Sequence, residues 1–207
     1  VSLLNQLVIS AAVEGSVDEA VIRRLIGHVG LTPGPIYGKK GKDDLRKKIR
    51  AYNLAAQHAP WVILVDLDND ADCALALRQA WLSNPAPNLC FRVAVRQVEA
   101  WLMADRETLA KFLDIPQDKI PNNPEGLPNA KWEMAKLAQA SRSREIRDDM
   151  ARRPGSGCAV GPAYPSRLIE YAQKHWRPAV AAQRADSLRR AIACLKQLSA
   201  CLKQPSR

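Results

Sequence analysis

Apolar and polar positions alternate along the first half of the chain in blocks that change period. Residues 4–13, LNQLVISAAV, end in an apolar run of the kind buried on both faces of a sheet, and Glu14-Gly15 breaks it. From Val17 to Val29 the apolar positions 17, 21, 25 and 22, 26, 29 form a helical stripe, with Asp18 and Glu19 in a first turn that favours acids. LTPGPIYGKKGK is a turn-rich link with room for a short strand near Ile36-Tyr37, and a helix over about 43–58 carries Leu45 and Ile49 inward. WVILVD is the next buried strand, followed by a helix over 71–83. LCFRVAVRQ then sets Phe91, Val93 and Val95 against Arg92, Ala94 and Arg96 at the period of two that marks a strand. Helices follow at VEAWLMA and at 106–113.

Strands alternating with helices predict a parallel sheet of about four strands with helical crossovers. The Pro-, Gly- and Asn-rich stretch 114–130 reads as a linker or surface loop. Helices are expected beyond it over 131–151, 165–174 and 186–203, separated by RRPGSGCAVGPAYP. In the last helix Leu188, Ala191, Ile192, Leu195, Leu198 and Leu202 share a stripe, Arg189, Lys196 and Lys203 recur on another face, and Cys194 and Cys201 are expected to share a buried face. The expected organisation is therefore an α/β domain (1–113), a connecting segment (114–130) and a basic helical C-terminal region (131–207).

Charge sharpens the division. The formal net charge is +10, yet residues 1–130 carry 15 Lys and Arg against 15 Asp and Glu, whereas residues 131–207 carry 16 against 6. A basic region behind an acidic, neutral one suggests a polyanionic partner, nucleic acid first, with a solvated helical surface as the plain alternative. Five cysteines without a C-x-x-C pair, and three histidines none of which lies near a cysteine, argue against zinc and against a disulfide framework, so a reduced, cytoplasmic protein is expected. No apolar run reaches the ~18 residues of a membrane span, and no basic-then-apolar leader opens the chain.

In an open parallel sheet, ligands collect beyond the carboxyl ends of the strands. Three acidic pieces fall there: Glu14-Gly15 with Asp18 in VEGSVDE, Asp66-x-Asp68 in ILVDLDND, and Glu99 in RQVEAW. Four aspartates within seven positions at the end of a buried run (66, 68, 70 and 72) repel one another, by about 4 kcal/mol for a pair 4 Å apart at an effective dielectric of 20. Residues i and i+2 of a strand project to one side roughly 6–7 Å apart, so Asp66 and Asp68 can converge on one ion as the chain turns. Carboxylates without His or Cys form a hard-oxygen set suited to Mg²⁺ or Mn²⁺. Each piece also has a plainer reading. Glu14 can simply begin a helix, Asp18 can answer the helix dipole, Asp70 or Asp72 can cap the next helix, and Glu99 can pair with Arg96 at the surface.

Glu14-Gly15 after the first strand and Asp66-x-Asp68 after a later one resemble the two motifs of the Toprim domain, found in topoisomerases, primases and the overcoming-lysogenization-defect nucleases. VEGSVDE is similar to the E-G-x-x-E form of the nuclease branch, with Asp18 in place of the second glutamate. FRVAVRQVEAWLMAD and YPSRLIEYAQKHW resemble the uncharacterised bacterial domain-of-unknown-function family 4276. The resemblance implies a Toprim-like α/β fold and divalent-metal-dependent hydrolysis of nucleic-acid phosphodiesters, in anti-phage defence or DNA maintenance. Glu14, Asp66 and Asp68 would be catalytic metal ligands and Asp18 would hold a second ion, as in the nuclease branch; Glu99 is added to the metal set from its own place after the fourth strand. A basic residue near the scissile phosphate is implied, with Lys39, Lys40, Lys42 and Arg96 as options, and Arg189 and Lys196 would grip the backbone. The expected cofactor is Mg²⁺ or Mn²⁺, and the expected partner is nucleic acid, DNA before RNA. A partner ATPase and self-association stay open, and no membrane partner is expected. One alternative is a non-catalytic Toprim-like subunit that binds nucleic acid or an ATPase. Another is a haloacid-dehalogenase-like phosphatase, whose D-x-D motif ILVDLDND also resembles. Tyr164 reads as a packed aromatic rather than a nucleophile.

Overall fold

The computed structural model describes residues 7–152, 155 and 157–203. Its centre is a parallel sheet of Val8–Val13 (β1), Thr32–Gly38 (β2), Trp61–Asp66 (β3) and Leu89–Ala94 (β4), in the order β2-β1-β3-β4. The crossovers are Ser16–His28 (α1), Lys42–Ala55 (α2) and Ala74–Trp81 (α3). The expected strand near Ile36-Tyr37 is β2, and it pairs with β1 at the sheet's edge. Leu4 to Gln6, the front of the first apolar stretch, lie outside the described residues.

Because successive strand residues face opposite ways, each strand feeds two cores. Ile9, Ala11 and Val13 of β1, Val62 and Leu64 of β3 and Cys90 and Ala94 of β4 join α1 and the later helices. Ala12, Ile63, Val65, Phe91 and Val93 face the other way and meet Leu45 and Ile49 of α2 and Leu77 of α3. The chain leaves β1 in one direction for β2, then crosses back over β1 to β3 and continues outward to β4. The winding reverses between β1 and β3, and a crevice forms at such a point beyond the carboxyl ends of the strands.

After β4 come Val98–Met103 (α4), Arg106–Leu113 (α5), 3-10 turns at Gln117–Lys119 and Pro124–Gly126, then Ala130–Gln139 (α6) and Arg144–Met150 (α7). Tyr164–Lys174 (α8), Pro178–Ala181 (α9) and Asp186–Lys203 (α10) complete the described chain. α8 packs on α1 and α10 packs on β4, so Leu168, Tyr171, Leu188 and Leu195 share one core with the sheet. No helix among the described residues is long and apolar enough to cross a membrane.

Several expectations need correction. The helix expected over 131–151 is two helices, because the polar Ser141-Arg142-Ser143 supplies its own ends: Ser143 Oγ accepts from the Ile146 N–H, and Arg142 N–H donates to the Asp114 carbonyl. The helix after β3 is shorter than 71–83, and neither Asp70 nor Asp72 caps it. Cys73 stands at the cap position without a side-chain bond, while Asp70 is engaged by Lys42. Cys194 and Cys201 do not share a buried face, since Cys194 is half-buried and Cys201 exposed.

Candidate metal centre

The cleft lies where the switch between β1 and β3 opens. Glu14 follows the last residue of β1, Asp66 ends β3, Asp68 stands in the turn beyond it, Asp18 occupies the first turn of α1 and Glu99 the first turn of α4. Two glycines make this packing fit. Gly38, at φ +86°, lies so close to β1 that an added Cβ would stand 2.2 Å from the Val13 carbonyl oxygen. Gly15 has an ordinary extended backbone, but a Cβ there would come within 3.0 Å of Asp18 Oδ2. The missing side chain thus leaves the Asp18 carboxylate its place.

Hydrogen bonds orient the acids. Glu14 Oε1 accepts from the Asp66 backbone N–H at 2.7 Å, and Asp66 Oδ1 accepts from the Val98 N–H at 3.0 Å. Asp68, in the left-handed region at φ 48°, accepts at Oδ1 from Gln97 Nε2 at 3.0 Å. Glu99, 6% exposed, accepts from the Tyr164 hydroxyl at 3.2 Å. Lys42 Nζ lies 2.5 Å from Asp68 Oδ2, 2.8 Å from Asp70 Oδ2 and 4.0 Å from Glu14 Oε1. The open space beside these groups measures about 340 Å³ and is lined by Asp18, Asp66, Asp68, Glu99, Lys131 and Tyr164, among others.

Burial dominates the electrostatics. It pushes Glu14 up to about 7, with Asp68 and Asp70 adding repulsion that the Asp66 N–H and Lys42 only partly offset. Asp18 rises to about 7 by burial and by repulsion from Glu14 and Glu99. Asp66 is pushed well above the carboxylate range by burial and by the charges of Asp18, Glu99, Glu14 and Asp68. Burial also raises Glu99, against the pull of Lys131 and Tyr164. The wall is a set of mutually repelling acids, with Lys42 against Glu14, Asp68 and Asp70 and Lys131 beside Glu99.

Of the sequence-predicted residues, Glu14, Asp18, Asp66, Asp68 and Glu99 come together here, and Lys42 joins them. The surface pair expected between Glu99 and Arg96 is absent: Glu99 turns inward to Tyr164, while Arg96 Nη1 donates to the Asp68 carbonyl at 2.8 Å and to Asn69 Oδ1 at 3.3 Å. Lys39 pairs with Glu19 at 3.0 Å, and Lys40 is exposed. Arg189 pairs with Asp186, and both Arg189 and Lys196 line a shallow groove with His28. That groove adjoins the far end of α1, roughly 15 Å of helix from Asp18. Those two residues are not gathered with the cleft.

Sequence reasoning missed Gln97 and Lys131. Gln97 bridges the cleft by donating to Asp68 and accepting at Oε1 from the Lys131 N–H at 2.9 Å. It lies inside RQVEAW, next to acids that drew attention first. Lys131 reaches the cleft through tertiary packing of α6 and had no local signal.

The donor set suits a hard divalent cation, and one atom favours it: Asp18 Oδ1 is buried with no hydrogen-bond partner among the described residues. As placed, no three His, Cys, Asp or Glu side chains among the described residues are arranged together to hold an ion. Two carboxylates are turned to backbone N–H groups and Lys42 holds Asp68 and Asp70, so ligation would require those side chains to re-aim.

Fold and cleft together define a parallel α/β protein with an acidic crevice at its topological switch, consistent with a Toprim-like fold. No family model matches the chain, and no curated protein matches it. Among solved structures, the C-terminal region of the Burkholderia pseudomallei OLD protein is similar at 15% identity and a TM-score of 0.38, covering 91% of this chain and 96% of that one. A likeness at that level carries no argument about activity.

Proposed function

We propose that this chain hydrolyses nucleic-acid phosphodiester bonds with the help of Mg²⁺ or Mn²⁺. The observation that carries the reading is the largely buried wall of Glu14, Asp18, Asp66 and Glu99, whose mutual repulsion Lys42 and Lys131 only partly offset and in which Asp18 Oδ1 has no hydrogen-bond partner among the described residues. Glu14, Asp66 and Asp68 would hold the ion, with Asp18 and Glu99 behind them. Such an ion, when bound, polarises a phosphoryl oxygen and lowers the pKa of an attacking water.

The chain's own residues prepare the site for that chemistry. Gln97 fixes the Asp68 carboxylate, and the Val98 N–H and the Tyr164 hydroxyl fix those of Asp66 and Glu99. Lys42 is half-buried against Asp68 and Asp70; once those acids are neutralised its ammonium is free to meet a phosphate oxygen. Lys131, with Nζ 6.0 Å from the Tyr164 ring, lines the cleft as well. Positive charge from two lysines suits a polyanionic strand, DNA before RNA, and defence or DNA maintenance are the settings the reading fits.

The contact of Lys42 with Asp68 and Asp70 favours a second reading, in which the lysine itself neutralises the acids and the chain is a non-catalytic subunit for nucleic acid or an ATPase. Incubating supercoiled plasmid with the protein in Mg²⁺, Mn²⁺ or EDTA separates the two. Metal-dependent nicking that disappears in Asp66→Ala is expected. Nicking in EDTA, or undiminished in Asp66→Ala, contradicts the proposal, and DNA binding without cleavage in any metal supports the second reading.

A further inference from the structure

We infer that the chain carries a second ligand site, a phosphate-binding cavity along the free edge of β4, built on Arg78 of α3 and Arg92 of β4. The cavity measures about 370 Å³, within the range of small-molecule sites. Arg78, Arg92 and Arg190 line it together with apolar Leu75, Val93 and Val95. β4 ends the sheet order, and both α3 and α10 pack against it.

Its charges do not balance. Arg190 Nε donates to Asp186 Oδ2 at 2.6 Å, and Asp186 also takes Arg189. Glu125 is occupied by the start of α10, accepting from the Asp186 N–H at 2.8 Å, the Ser187 N–H at 3.0 Å and the Ser187 hydroxyl at 2.5 Å. That leaves Arg78 and Arg92. Among the described residues neither pairs with a carboxylate, and each has its Nε buried with no hydrogen-bond partner. Both stand near Cys90 and Cys194, and the Cys194 thiol, lowered to about 6 by Cys90 and by the two guanidinium groups, is the anionic partner nearest to them.

A buried donor left unmatched is costly, and two such Nε–H groups lining one cavity call for a partner that a bound anion would supply. Guanidinium groups present forked donors that match the oxygens of a phosphate. The apolar wall of Leu75, Val93 and Val95 beside them suits the uncharged body of a phosphate ester. The ligand chemistry is therefore a phosphate ester of nucleotide size, supplied by a free nucleotide or by the phosphorylated end of a strand. None of the acids of the metal centre lines this cavity, so the inference stands or falls apart from the proposed hydrolysis.

The test is nuclear magnetic resonance of the arginine Nε–H groups in the full chain. The probes are inorganic phosphate, adenosine monophosphate, and a short DNA strand with and without a 5′-phosphate. Saturable shifts of the Arg78 and Arg92 signals are expected, with affinity weakened roughly tenfold or more in Arg78→Gln and in Arg92→Gln while Mn²⁺ binding is kept. Tighter binding of the monophosphate than of phosphate assigns the apolar wall to a nucleotide; preference for the phosphorylated strand assigns the site to a strand end. Should Arg92→Gln not fold, Arg78→Gln on the outer helix decides alone. Non-saturable shifts with every probe, or equal binding by wild type and a folded variant, overturn the inference.

Discussion

Asp105 illustrates what a single buried charge does in this chain. It is wholly buried, and it accepts from the Arg177 backbone N–H and Nε at 3.0 Å each and from Nη2 at 2.7 Å. Burial would raise its pKa, but the bonds from Arg177 outweigh burial and hold it below the ordinary range. A depressed folded pKa means the contribution is complete above the unfolded value of about 3.9 and is lost as pH falls through the lower folded one. Asp105→Asn should therefore cost about 2–3 kcal/mol at pH 7, with the gap to wild type closing below about pH 4 in urea unfolding. A gap independent of pH would show that packing, not charge, is at work. At this scale the sequence was most informative where chemistry sits at strand ends. That Glu14, Asp66 and Asp68 share one edge of the sheet was legible because each follows a buried run at a strand's end. Tyr164 was legible only as packing, and Lys131 not at all, since both meet the cleft across more than thirty residues of chain.

Among the elements, α10 depends on a junction that no local pattern announces. Glu125, from the stretch that reads as a linker, caps its first N–H groups. Ser187 Oγ donates to Glu125 and accepts from Trp101 Nε1 at 2.7 Å and from the Val95 N–H at 3.2 Å. Ser187→Ala leaves a buried indole N–H and a backbone N–H unmatched, so a loss of about 2 kcal/mol is expected in denaturant unfolding. A change under about 0.5 kcal/mol would mean that neighbouring groups replace the hydroxyl. The stripe of α10 was readable because its apolar spacing survives packing, with Leu188, Leu195 and Leu198 all buried. The break between α6 and α7 was not, because hydrogen bonding by Ser141–Ser143 ends the helix there and no glycine or proline marks the place.

For the whole molecule, the alternation of strands and helices was enough to predict a parallel sheet, and the sheet order then places the crevice between β1 and β3. The spread of charge was legible as a count but not as a place. Arg189 and Lys196, expected at the nucleic acid, flank the far end of α1, apart from the acidic cleft. Residues 131–207 still carry 16 basic against 6 acidic residues, so duplex DNA binding should weaken steeply with salt. A slope of log affinity against log salt steeper than about −3 is expected from fluorescence anisotropy, corresponding to several neutralised phosphates. A flat dependence would remove nucleic acid as the reason for that excess charge.

The most direct measurement is calorimetric titration of Mn²⁺ and Mg²⁺ into wild type, Asp66→Ala and Asp68→Ala, with folding of each checked by circular dichroism. The account predicts saturable binding by wild type that both variants lose by at least about tenfold. Binding that survives intact in Asp66→Ala, or no binding by the wild type, would contradict it.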